Sequence, residues 1–192
     1  IKVETFADTA NTQYYDRDEG RIKTVSAEAV GDTMTTWGEE NAEKWYVVKE
    51  AVTINDRITA TGNVHLILAD NAILTAKKGI DVSAGNSLTI YAQTDMLTES
   101  TGKIVAEPYD YNAAIGGSKN KDGGTITITG GKVTASSKLG AGIGGGAYAA
   151  GGSIKITGGK VNARSNGSGA GIGGGRGGAG GSIKITGGKV YA

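Results

Sequence analysis

The chain has 192 residues, no cysteine, and 20 Lys and Arg against 19 Asp and Glu, a formal net charge of +1 at neutral pH. The missing cysteines exclude disulfides and thiolate metal sites. The balanced charge gives no reason to expect nucleic acid as a partner, and the apolar runs are strand-sized, far below the ~18 residues that cross a bilayer.

Residues 1–46 come first and stand apart. They hold both tryptophans, Trp37 and Trp45, and the polar run GEENAEK, with no obvious repeat. A solenoid must cover its first open edge, because unpaired strand groups recruit other chains. This segment therefore reads as an N-terminal cap of short strands.

Residues 47–112 read as degenerate coils of roughly 22 residues, judged by the strand period of two. VTI (52–54) and RITA (57–60) form an early coil. In NVHLILADNAILTA (63–76), Leu66 and Leu68 pair with Ile73. In SLTIYA (87–92), Leu88 and Ile90 make the next apolar pair, and after the insertion QTDMLTEST Ile104 of TGKIVA matches the Val position of GGKVTA.

Residues 113–192 are a glycine-rich repeat. Of 34 glycines, 27 stand after residue 115, downstream of the only proline, Pro108. GGTITITGGKVTA (123–135), GGSIKITGGKVNA (151–163) and GGSIKITGGKVYA (180–192) align at steps of 28 and 29 residues. AAIGGS (113–118), GAGIGGG (140–146) and GAGIGGG (169–175) add a third segment to each unit. Three short strand-like pieces per unit, with no helical period, imply an all-β fold: a right-handed parallel β-helix, or solenoid, covering residues 47–192. Equivalent Ile and Val residues then stack about 4.8 Å apart. The glycines serve the corners and let neighbouring backbones approach. The chain begins at Ile1 rather than Met, as expected of a processed form or an excised piece, and stops at Ala192 where a V-x-A unit ends, so the protein is expected to continue and to carry further domains.

The residues WYVVKEAVTINDRITATGNVHLILADNAILTAKKGIDVSAGNSLTIYAQ, TGKI, GAGIGGG and GGSIKITGGKV resemble a repeat region of large surface proteins of Gram-positive anaerobic gut bacteria. The resemblance spans residues 45–192, and Thr36-Trp37-Gly38 extends it. It implies a β-helix in a secreted or wall-attached, extracellular protein. Some glycine-rich β-helices of this look are labelled carbohydrate-binding.

No catalytic set is expected. Glycoside chemistry needs paired carboxylates, yet the acids of the coils, from Asp56 and Asp70 to Asp110 and Asp122, form no D-D or D-x-D pair, and none follows Asp122. His65, the only histidine, alternates with apolar residues and should point outward without a metal or acid–base partner. No metal and no cofactor is expected. The candidate glycan-binding residues are Tyr109, Asp110 and Tyr111 in EPYDYN, Tyr148 in AYAAGG, and the stacked Lys155 and Lys184. Exposed aromatic faces beside a carboxylate suit sugar stacking and hydroxyl bonding. Stacked lysines suit an anionic polysaccharide, while also discouraging sheet aggregation; Lys132, Lys160 and Lys189 stack at the following corner. The leading expectation is a non-enzymatic surface module for adhesion or glycan binding, its partner a polysaccharide or a host or cell-wall glycan, with no nucleic acid and no membrane insertion. A structural stalk and a carbohydrate-active enzyme are the alternatives.

Overall fold

The computed structural model describes residues 9–95 and 97–192. Residues 1–8 of the expected cap and Met96 of the insertion lie outside the described residues.

The described chain is all strand and turn. It opens with β1 (Thr9–Asp16), β2 (Arg21–Ala29) and β3 (Thr36–Val48). The coils follow as β4 (Ala51–Ile54), β5 (Ile58–Leu68), β6 (Ile73–Ala76), β7 (Ile80–Asp81), β8 (Ser87–Ala92) and β9 (Lys103–Ala106). The glycine-rich units supply β10 (Ile115–Gly116), β11 (Thr125–Ile128), β12 (Lys132–Ser137), β13 (Ile143–Gly144), β14 (Ser153–Ile156), β15 (Lys160–Ser165), β16 (Ile172–Gly173), β17 (Ser182–Ile185) and β18 (Lys189–Tyr191).

Stacking of equivalent strands makes a parallel β-helix with three faces. The first is the end of β3, the end of β5, then β8, β11, β14 and β17. The second runs β4, β6, β9, β12, β15, β18. The third starts on the first halves of β3 and β5 and continues through β7, β10, β13 and β16. Alternation sends every second side chain inward. Ladders such as Val64–Leu88–Ile126–Ile154 and Leu74–Ile104–Val133–Val161 then fill one continuous apolar interior.

The third face shows why its strands are I-G. Ile115 and Ile143 point in and are fully buried. Gly116 and Gly144 have φ of 137° and 132°, and a Cβ on Gly116 would sit 1.9 Å from the Gly144 carbonyl oxygen. Only glycine permits both the backbone angle and this approach.

The coil register differs in two places from the sequence expectation. Val64 and Leu66, not Leu66 and Leu68, stand under Leu88 and Ile90. A slip of two residues keeps the same side chains inward, so alternation cannot detect it. Leu74, not Ile73, enters the Ile104–Val133 ladder, and Ile73 joins the outward column. In ILTA both leading residues are apolar, so pattern alone leaves the parity open.

The N-terminal segment also differs from the expected arrangement. The expected boundary between residues 46 and 47 falls inside β3, whose two ends pair in parallel with β5 around a register shift between Gly38 and Glu43. Trp37 is fully buried against Tyr46, their rings 5.8 Å apart, and Val30 and Met34 join them in the first coil of the core. The β1–β2 hairpin meets β3 through only two residue pairs, at Glu28–Ala29. It packs instead across the outward surface of the first face, where Tyr14 and Ala27 bury against Val47 and Ile67. That surface is apolar on its outer side too: Leu66, Ile67 and Leu68 are all fully buried.

Candidate ligand-binding faces

The outward column of the first face reads Trp45, His65, Thr89, Thr127, Lys155, Lys184 in register. Its character changes from aromatic to hydroxyl to cationic along the helix axis. The hairpin covers the aromatic part. Tyr14 packs against Trp45 and Tyr91 with ring centroids 4.9 and 4.8 Å away. His65 lies beneath this cover, its Nδ1 3.0 Å from the Tyr91 hydroxyl and its Nε2 3.7 Å from a Glu43 carboxylate oxygen. Burial pushes the His65 imidazole below its ordinary pKa, with Glu43 pulling the other way. His65 faces outward from the coil, and its surroundings are aromatic rather than solvent.

The hairpin ends where the column turns polar. Arg17 donates from Nε to the Thr129 carbonyl at 2.9 Å and pairs with Asp95. Beside it lies a cleft of about 260 Å³, lined by Asp16, Asp18, Thr89, Thr127 and Lys155 among others. A hydrogen bond from Lys23 and backbone donors hold the Asp16 carboxyl below the usual carboxylate range. Lys155 therefore lines a cleft of mixed charge, while Lys184 sits one coil further along on an exposed strand.

The three candidate tyrosines stand on loops that are hydrogen-bonded to one another. Ala147 N–H donates to the Tyr111 carbonyl at 2.8 Å, Leu139 N–H to the Asp110 carbonyl at 3.1 Å, and Arg176 N–H to the Leu139 carbonyl at 2.9 Å. These bonds stack the loops flanking β10, β13 and β16. Tyr109, Tyr111 and Tyr148 are 77%, 43% and 50% exposed. Each carries a cation over its ring: Lys138 Nζ is 4.6 Å from the Tyr109 centroid, Lys119 Nζ 4.7 Å from Tyr111, and the Arg176 guanidinium 5.8 Å from Tyr148. Asp110 is occupied locally, accepting from Asn112 N–H at 2.8 Å and Asn112 Nδ2 at 2.7 Å. It shapes the turn that lifts the two tyrosines. The tyrosines thus stand on neighbouring loops, and Lys155 and Lys184 stand on the strands of the first face.

The second face carries cations that the sequence reading gathered only in part. Lys103, Lys132, Lys160 and Lys189 are in register at the first positions of β9, β12, β15 and β18. Lys132, Lys160 and Lys189 are strand residues rather than corner residues, and Lys103 extends their row. The match of Ile104 in TGKIVA to the Val position of GGKVTA already sets Lys103 in register with Lys132. The TGK shared by Lys103 and the ITGGK units was the available signal.

Among the described residues no group of three or more His, Asp or Glu side chains is placed to hold a metal ion. One largely buried charged pair, Arg57 and Asp81, is structural. Arg57 donates to the carbonyls of Lys78 at 2.8 Å, Ala113 at 3.0 Å and Gly116 at 3.1 Å, with Asp81 3.8 Å away. Asp81 in turn accepts from Ser118. No helix among the described residues is long and apolar enough to cross a membrane.

The family model of the beta helix repeat matches residues 126–147 and 154–176, the two units in which the glycine corners and Ile ladders are most regular. No curated protein and no solved structure matches the chain. By its topology and by this repeat match, the chain carries a β-helix repeat module.

Proposed function

We propose that this β-helix is a non-enzymatic, extracellular binding module, and that it takes up glycan at the edge formed by Tyr109, Tyr111 and Tyr148. The observation that carries the reading is the pairing of each exposed tyrosine with a cation over its ring. Sugars present an apolar C–H face and a rim of hydroxyls. A tyrosine ring matches the first, and an adjacent ammonium or guanidinium donates hydrogen bonds to the second. The edge sits on glycine corners held by interloop backbone bonds, so the rings are set before a ligand arrives, which lowers the cost of ordering them.

The test is a glycan array of neutral and acidic polysaccharides, with Tyr109→Ala and Tyr148→Ala variants beside the parent chain. The expected result is salt-tolerant binding that falls in both variants. Binding unchanged by both substitutions removes this edge as the site. No binding anywhere on the array leaves a spacer that projects other domains as the better account.

A further inference from the structure

The chain is electrically divided along its length. Residues 103–192 hold eleven Lys and Arg against three Asp and Glu, whereas residues 1–102 hold nine against sixteen, out of 20 and 19 overall. A formal charge of +1 therefore conceals an acidic first part and a strongly basic second part.

Much of that excess stands in one row. Lys103, Lys132, Lys160 and Lys189 are first residues of four consecutive parallel strands and point outward in register. Lys132 is half-buried, donating to the Glu99 carbonyl at 3.2 Å with the Glu99 carboxylate 4.0 Å away. Lys103, Lys160 and Lys189 are exposed, with no ion pair among the described residues. The three acids after residue 102, Glu107, Asp110 and Asp122, all lie in loops rather than on this sheet. Beside the row runs a neutral outward column, Val105, Thr134, Asn162 and Tyr191, and one column further Arg164 stands next to Ser136. The face offers a line of cations, with Glu99 in a cleft beside Lys103 and Lys132 at its start and Glu107 in a cleft beside Ser136 and Arg164.

Parallel strands stack about 4.8 Å apart, so the row presents one ammonium per coil at that repeat. Like charges held this close repel, and a polyanion laid along them relieves the repulsion while releasing its own counterions. The spacing selects among polyanions. Duplex DNA carries a charge every ~1.7 Å of its axis, far denser than the row. An extended chain of acidic sugars carries one carboxylate per ring, a repeat comparable with the strand spacing.

We infer that the outward face of β9, β12, β15 and β18 binds a linear acidic polysaccharide lying along the helix axis. Lys103, Lys132, Lys160 and Lys189 pair with its successive carboxylates. The inference shares with the preceding section the glycan class of ligand and uses other side chains, the four ladder lysines; Tyr109 borders the same face, in a cleft with Ser136 and Arg164.

The probe is polygalacturonate, titrated at low and moderate salt, with dextran and duplex DNA as comparisons. The parent chain is expected to bind polygalacturonate with steep salt dependence, to bind duplex DNA more weakly, and to ignore dextran. Replacing all four lysines by Gln should weaken binding about tenfold or more and flatten the salt slope by roughly one unit per lysine lost. Lys103→Gln with Lys160→Gln should give an intermediate loss, and this pair serves if the fourfold variant does not fold. Lys155→Gln with Lys184→Gln, and Tyr111→Ala with Tyr148→Ala, should bind polygalacturonate as the parent does. Equal binding by the ladder variants and the parent, equal affinity for DNA and polygalacturonate, or no binding of polygalacturonate each overturns the inference. Glycan binding lost only in the tyrosine variants would overturn it while leaving the tyrosine edge standing.

Discussion

The imidazole of His65 lies flat on the indole of Trp45, with centroids 4.1 Å apart and planes 12° from parallel. The two residues are cross-strand partners on β5 and β3, and the β1–β2 hairpin closes over them. Charging this ring would place a cation among Tyr14, Trp45 and Tyr91, with Glu43 the adjacent carboxylate. Burial already holds its pKa below the ordinary value, so the folded state favours the neutral ring. Above about pH 6.5, the ordinary histidine value, neither folded nor unfolded chain holds the proton, and the contribution is at full size. Below that, the unfolded chain takes the proton first and stability falls, until pH drops beneath the folded value and the loss levels off. The melting temperature is therefore expected to fall between about pH 7.5 and about pH 5, and His65→Phe should reduce that fall. Equal falls in both proteins would assign the pH dependence to other groups.

Tyr14 is the side chain that joins the hairpin to the solenoid. It is buried among Trp45, Tyr91, Val47 and Ile67. Tyr14→Ala removes most of an aromatic side chain from that layer, at a cost of about 3 kcal/mol. The loss should fall on hairpin docking while the coils persist. Limited proteolysis should then cut first within residues 9–29, and circular dichroism should retain its β signal. Simultaneous loss of both signals would show that hairpin and coils unfold as one unit.

Gly144 and Gly31 make a matched pair for the glycine argument. A Cβ on Gly144 would come 2.0 Å from the Gly173 carbonyl oxygen, at a φ of 132°. At Gly31 a Cβ meets nothing within 4 Å. Gly144→Ala should destabilise by about 3 kcal/mol or more, and Gly31→Ala should stay within about 0.5 kcal/mol of the parent. Chemical denaturation midpoints decide the point. Similar costs at both positions would mean that the corners tolerate side chains.

Arg57 fastens an early coil to the first glycine corner by donating to carbonyls more than fifty residues away. Arg57→Lys keeps the charge but loses the planar fork that reaches several acceptors at once. The Ala113 carbonyl would then lose its donor, and the largely buried Asp81 would keep only the Ser83 and Ser118 hydroxyls, at a cost of about 3 kcal/mol. Thermal melts of Arg57→Lys and Arg57→Ala should show similar losses. Full retention of stability in the lysine variant would show that charge alone suffices.

The repeat and the three-strand coil were legible without coordinates, because Ile ladders and glycine corners recur in strict order from residue 113 onward. The loop placement of Tyr109, Tyr111 and Tyr148 was also legible, and the structure adds that all three are exposed. The earlier register was harder. Val64, Leu66 and Leu68 share one face, so a two-residue slip leaves the pattern unchanged. The cover over the first face had a signal that went unread: the apolar triple Leu66-Ile67-Leu68 is buried on both sides of a strand.

The sequence by itself determined the architecture, because short-range alternation and glycine spacing repeat often enough to leave one stacked solution. Only the tertiary structure decided which outward residues face solvent. It laid the hairpin over Trp45, His65 and Tyr91, and it set the loops of Tyr109, Tyr111 and Tyr148 apart from the face of Lys155 and Lys184. These are relations between distant segments, set by packing and register across coils of unequal length, and no local pattern in the chain encodes them.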